Sequence, residues 1–166
     1  MNTKTIRRWA RFGLFTSLAV IGGVFLRRCE RFAIPVTDQS LAPTYPAGSR
    51  VVCIVLDEDD AIERDTDVVY KMEWEGVMVA RFGRVRGLPG DEMGVDEKGR
   101  ITVNGVAIGP IALRGEPLGT VPPGTLCILA INPQEVTYPD SRKRGFVART
   151  DVRARIVARW GMSGGP

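Results

Sequence analysis

The feature that most constrains this 166-residue chain is the shortness of its apolar runs beyond Phe32. Arg50–Leu56, Val68–Trp74, Val77–Val85, Ile101–Val103, Leu126–Ile131 and Val152–Trp160 are rich in Val and Ile and are separated by Gly, Pro and Asp. Such runs read as strands. With 19 Gly and 11 Pro, the chain exceeds the usual ~12% for the two together, which leaves little room for long helices. Glu75-Gly76 closes a hairpin between its flanking strands, and Lys98-Gly99 and Asn104-Gly105 are further turn signals. The expected architecture is mainly β: an antiparallel domain of short coiled strands occupying residues 32–166.

The N-terminal residues 1–31 differ. They hold seven basic side chains against one acidic, Glu30, whereas the remainder holds 16 basic and 18 acidic. The overall charge of +4 therefore belongs to this segment, and the body lacks the basic surface that nucleic acid requires. Between its arginines, Phe12–Leu26 carries no charge. A helix of that length spans roughly 22 Å, which Trp9, Ala10 and snorkelling arginines extend toward the ~30 Å hydrocarbon core. Arg27-Arg28-Cys29-Glu30-Arg31 follows where a signal-peptide cleavage site would need small residues. A stretch apolar all round does not suit a surface helix. A single uncleaved membrane anchor with its span at about 9–28 is expected.

Other absences limit the chemistry. The chain has no histidine, so it holds neither a Ser-His-Asp relay nor an imidazole-ligated zinc. Cys29, Cys53 and Cys127 form no CxxC pair, and Cys53 and Cys127 lie in apolar runs where free Cys behaves as a small hydrophobe. The acid-rich segment Leu56–Asp67 lacks the spacing of an EF-hand and reads as a solvated loop. No cofactor and no metal site is expected.

Two segments stand out as motifs. Ser40-Leu41-Ala42-Pro43-Thr44 precedes the first strand of the body, and Arg84-Val85-Arg86-Gly87-Leu88-Pro89-Gly90-Asp91 leaves the Val77–Val85 strand. Taken singly, each is a turn. Together, in this order after an apolar anchor, they resemble bacterial type I signal peptidases. Ser40 to Thr44 is similar to that family's Ser-Met-x-Pro-Thr box, and Arg84 to Asp91 to its Lys-Arg-x-x-Gly-x-Pro-Gly-Asp box. Asp140-Ser141-Arg142 is similar to the end of its Ser-x-Asp-Ser-Arg box. The resemblance implies a signal-peptidase-like β domain and a membrane-anchored serine endopeptidase that removes signal peptides from exported proteins. Ser40 would be the nucleophile, and its backbone N–H would bind the oxyanion. Pro43, Thr44, Arg84, Gly87, Pro89, Gly90, Asp91, Asp140 and Arg142 would be structural. The implied partners are the lipid bilayer and signal peptides or exported preproteins, with an active paralogue as a further partner and no nucleic acid. The implied location is the inner membrane, single-pass, with the β domain on the extracytoplasmic side.

In that family a neutral lysine on the neighbouring strand takes the serine proton, which requires burial to lower an amine from about 10.4. Counting back from Asp91, that lysine falls on Gly83. Arginine cannot stand in, because guanidinium stays protonated. Lys71 is the nearest substitute. A hairpin turning at Glu75-Gly76 is expected to set it opposite about Val79, on the face of Gly83 but roughly 13 Å along. Asp38 occupies a position where the family commonly has a hydroxyl near the oxyanion, and Tyr138 the position of a serine that orients the lysine. Two readings follow: a serine endopeptidase with an unusual base, or an inactive homologue that binds exported peptides or partners an active peptidase.

Overall fold

The computed structural model describes residue 23 and residues 27–108, 118–132 and 139–160. The first strand, β1 (Cys29–Ala33), begins ahead of the expected body and crosses the boundary drawn between residues 31 and 32. It is followed by β2 (Arg50–Val55), β3 (Asp67–Trp74), β4 (Val77–Gly87), β5 (Glu92–Val95), β6 (Ile101–Val103) and β7 (Val106–Ala107). The chain then forms β8 (Gly119–Thr120), β9 (Thr125–Leu129), a short helix α1 (Ser141–Arg144), β10 (Val147–Ala148) and β11 (Val152–Trp160). The domain is mainly β, and every strand pairing is antiparallel.

Seven strands form one sheet in the order β1-β2-β11-β3-β4-β9-β10, and four form a second in the order β7-β6-β5-β8. The β3–β4 hairpin turns where Glu75 (φ 51°) and Gly76 (φ 78°) both take positive φ, as a two-residue turn matched to strand twist requires. Asn104 (φ 51°) and Gly105 (φ 79°) close the β6–β7 turn in the same way.

The period-2 alternation of the strands divides the interior. Leu41, Val51, Cys53, Val69, Phe82, Ile131, Ala154 and Ile156 pack on one side of the large sheet. Val68, Tyr70, Met72, Val85, Leu126, Ile128, Val147 and Val152 pack in a second cluster. Met93, Ile101, Val103, Val121, Cys127 and Leu129 join the small sheet to β9. Cys53 and Cys127 are fully buried, and burial pushes both thiols up to about 12. The acid-rich segment is a loop with Asp57, Glu58, Asp59, Glu63 and Asp65 exposed, as expected; within it Asp57 and Asp60 pair with Arg28, and at its end Asp67 pairs with Arg84.

Among the described residues no helix is long and apolar enough to cross a membrane. The expected span at about 9–28 lies outside them except for Gly23, Arg27 and Arg28, as does Tyr138.

Candidate functional site

The loop between β1 and β2 carries Ser40, and local hydrogen bonds fix its path. Asp38 N–H donates to Pro35 O (2.9 Å), Ala42 N–H to Gln39 O (3.0 Å) and Tyr45 N–H to Leu41 O (3.0 Å). Ser40 and Leu41 are fully buried. Two contacts attach the loop to the chain just beyond β9: Ser40 O accepts from Ile131 N (2.8 Å) and from Asn132 N (3.1 Å). Asn132 Nδ2 adds a bond to Gln39 O (3.0 Å). Since Arg84 pairs with Leu129, this attachment lies next to the stretch of β4 that holds Gly83. The Ser40 loop and the Gly83 strand are therefore neighbours. Pro43 and Thr44 face solvent. Tyr45 packs on the Leu41–Phe82 cluster. Its hydroxyl is pushed up by burial and by the Asp67 carboxylate, against an opposing effect of Arg84.

At the Ser40 centre, however, the polar groups are arranged unfavourably for acyl transfer. The Ser40 N–H donates to Asp38 Oδ1 at 2.9 Å, an Asx turn reaching two residues on. Asp38 is 4% exposed, so a buried carboxylate holds the donor that an oxyanion would need. The Ser40 hydroxyl is buried and has no hydrogen-bond partner among the described residues. No amine among them therefore touches it, and a serine is a weak nucleophile without an adjacent base.

Position 83, where the resemblance would put a base, is crowded by neighbours. Gly83 lies opposite Val68 on β3. A Cβ there would come within 2.6 Å of Ile128 Cγ2, 3.3 Å of Leu129 O and 3.4 Å of Tyr70 Cε1. Position 83 thus opens toward Ile128 and Tyr70, whereas Leu41, next to Ser40, packs with Phe82 on the opposite face of the strand. Lys71 differs from its expected placement. It pairs with Ala80 rather than Val79, which puts it on the face opposite Gly83, and its side chain is exposed. A two-residue turn at Glu75-Gly76 pairs Trp74 with Val77 and so fixes this register. Lys98 and Lys143 are exposed as well.

In the surrounding frame the two buried carboxylates, Asp91 and Asp140, are well bonded, whereas Arg86 Nε is buried without a hydrogen-bond partner among the described residues. Asp91 Oδ2 accepts from Leu88 N (2.6 Å), and Arg64 Nη2 donates to both Asp91 oxygens (2.9 and 2.8 Å). Asn104 Nδ2 donates to Asp91 Oδ1 (2.8 Å), and Arg64 Nη1 to Arg86 O (2.6 Å). Burial alone would raise the Asp91 carboxyl, but the bonds from Arg64, Leu88 and Asn104 outweigh it and hold the group below its usual range. The Gly87–Asp91 turn is thereby locked; at its start, a Cβ on Gly87 would meet Met93 Sδ at 2.7 Å and Cys127 Cβ at 2.9 Å. Pro89 and Gly90 are exposed at the tip, and Gly90 has φ 89°.

Arg84 binds Asp67 through two bonds (2.7 and 2.9 Å) across the β3–β4 pair. Asp140 is fully buried. It caps α1, accepts from Arg142 Nη2 (2.7 Å) and Nε (2.9 Å), and takes the Ala130 N–H at 2.9 Å. Beside it, Ser141 Oγ accepts from Ile128 N (2.9 Å). Sequence reasoning gave no site role to Arg64, Asn104, Tyr70 or Ile128, because each acts from a distant part of the chain; Ser141 stood in the third box, but its bond to Ile128 N left no local trace.

No protein-family model matches the chain, and no curated protein matches it. Among solved structures, a signal peptidase I from Enterococcus faecalis is similar. It is 22% identical, with a TM-score of 0.45, and the match covers 59% of this chain and 98% of that one.

Proposed function

We propose that this chain is a non-cutting relative of signal peptidase I, an anchored β domain that binds exported peptides or stands beside an active peptidase. The observation that carries this reading is the hydrogen bond from Ser40 N to Asp38 Oδ1. In acyl transfer that N–H must meet developing negative charge, and here a carboxylate already takes its place. The orphaned Ser40 hydroxyl and the absence of room at Gly83 support the same reading. The endopeptidase reading would need a buried neutral amine, and Lys71, Lys98 and Lys143 are all exposed.

The binding partner in this reading is an extended peptide with small side chains, lying along a sheet edge. The uncharged stretch Phe12–Leu26 supports a membrane anchor, and placing the β domain on the outer side follows the family resemblance alone. The test uses the full chain in detergent with a fluorescent peptide carrying small residues before the candidate bond. Saturable binding is expected, with the peptide recovered intact by mass spectrometry. Cleavage by wild type that Ser40→Ala abolishes would overturn the proposal and establish the endopeptidase.

A further inference from the structure

The large sheet leaves a gap between two of its strands that the Ser40 loop does not use. β11 parts from β3 at Tyr70, so Lys71–Trp74 are paired on one side alone, with β4. The two-residue Glu75-Gly76 turn makes Trp74–Val77 a bonded pair, and by alternation Met72 also bonds toward β4. Lys71 and Glu73 therefore direct their N–H and C=O groups away from β4. β10 ends the sheet, with β9 as its one neighbour among the described strands. Arg149 N–H donates to Gly124 O (2.8 Å) in register with the Val147–Leu126 pair, so Phe146 and Ala148 turn their N–H and C=O groups away from β9.

The two outward edges line one cleft. Lys71 and Glu73 form one wall, Phe146 and Ala148 the other, and the cleft encloses about 230 Å³. Asp151, just before the Val152–Tyr70 pair, closes one end. At the other, Arg144 reaches over the hairpin, its guanidinium 4.8 Å from the Trp74 ring centroid. Met72 and Val147 lie beneath, buried in the same core cluster. β3, β4, β9 and β10 thus curl round that cluster until the first and last of them stand across a slot, with no strand pairing between the two.

We propose that this slot takes an extended peptide of small side chains as an added strand, bonded through its main chain to both edges. Main-chain donors and acceptors line both walls, which is how an added strand is recognised. The lining holds two cations, Lys71 and Arg144, and two carboxylates, Glu73 and Asp151. None of the four forms an ion pair among the described residues. With no net charge, the slot favours a neutral chain over a phosphate or an acidic partner. Its β3 wall runs from Lys71 to Glu73, roughly 10 Å of extended chain. Alternate side chains of the inserted strand meet Met72 and Val147, which favours Gly, Ala or Ser there. The peptide's source, an exported protein, rests on the function proposed above. Its seat is the edge of β3 turned away from β4, the strand beside which the Ser40 loop lies.

The test uses the full chain in detergent with the fluorescent small-residue peptide, and reads affinity together with amide hydrogen exchange. Binding should slow exchange at Lys71, Glu73, Phe146 and Ala148. Ala148→Pro deletes one main-chain donor of the slot at a residue whose φ of −61° proline already fits. It should weaken binding about five- to tenfold, the loss of one backbone hydrogen bond, whereas Ala148→Gly keeps the N–H and should bind as wild type does. An N-methylated peptide, which needs no change in the protein, should lose binding to the unaltered chain. Saturable binding that instead protects Val77–Phe82 and the Ser40 loop, or that survives both Ala148→Pro and N-methylation, overturns the slot and keeps the peptide-binding function. No saturable binding overturns both. Cleavage of the peptide with the slot still protected overturns the non-cutting reading and keeps the slot. Protection of the four amides that appears without peptide and grows with protein concentration assigns the slot to a second copy of the chain and overturns the proposal.

Discussion

The frame around the candidate site and its centre are built to different standards. In the frame, the buried carboxylates have their partners: Asp91 takes bonds from Leu88, Arg64 and Asn104, and Asp140 from Arg142 and Ala130. In the centre, Ser40 Oγ has no partner among the described residues, Ser40 N–H is taken by Asp38, and Gly83 has no space for a side chain. The carboxylates that hold strands in place are paired, since an unpaired buried ion is strongly destabilising. Among the described residues, Ser40 Oγ has no adjacent base, and the Ser40 N–H is already bonded. The difference supports the proposed non-cutting reading.

The contrast is most open to disproof in the frame. Asp140→Ala leaves the Arg142 side chain, 10% exposed, and the Ala130 N–H without their acceptor. A loss of about 3–5 kcal/mol in urea unfolding is expected; a loss under about 1 kcal/mol would show that the frame is not held by this clamp. Asp91→Ala should cost about 2–3 kcal/mol, the lower range reflecting Arg64, which is 34% exposed and partly screened by solvent. The same carboxyl gives a pH signature. Its folded-state affinity for protons is depressed, so the unfolded chain binds more protons near the ordinary carboxylate range of about 4. Its stabilisation is present above that range and is lost as pH falls through the depressed value. Asp91→Asn should therefore flatten the acid limb of the stability curve, and an unchanged limb would contradict the assignment.

Changes at the centre should be smaller. Gly83→Ala forces a methyl against Ile128 and should cost about 1–3 kcal/mol by overpacking. Adding Ile128→Ala should make the pair more stable than the sum of the single losses predicts, since the two side chains compete for one space. Additive losses would show that position 83 is not filled by Ile128. For the same reason Gly83→Lys alone should fail to create a peptidase, and Gly83→Lys with Ile128→Ala is the double variant in which an amine has room. The smallest effect belongs to Ser40→Ala. Deleting an orphaned buried hydroxyl should change stability by no more than about 1 kcal/mol and toward greater stability. A large loss would reveal a partner for that oxygen.

The strands were legible because Val and Ile runs bounded by Gly, Pro and Asp carry a local signal. All six expected runs lie within two residues of β2, β3, β4, β6, β9 and β11, although Leu126–Ile131 continues past the end of β9 at Leu129. β1 was hidden by its charges: Glu30 and Arg31 read as an anchor flank, yet Glu30 reaches Arg153 on a strand far along the chain. The Gly87–Asp91 turn was legible in part, since Asp91 bonds Leu88 three residues away. Its other partners, Arg64 and Asn104, are set by tertiary packing and leave no local trace. The place of Lys71 depended on a single residue of register, and such a slip transfers a side chain to the other face. Asp38 was visible as a neighbour of Ser40. Its bond to the Ser40 N–H became evident only once the loop's turn placed the two groups 2.9 Å apart.

Covalent labelling tests the inertness of the Ser40 hydroxyl most directly. The full chain is incubated with a fluorophosphonate across the neutral to alkaline range, and adducts are located by intact mass and peptide mapping. No adduct on Ser40 is expected at any pH tested, with wild type and Ser40→Ala indistinguishable. A Ser40 adduct whose rate rises with pH as a base deprotonates would contradict the non-cutting assignment.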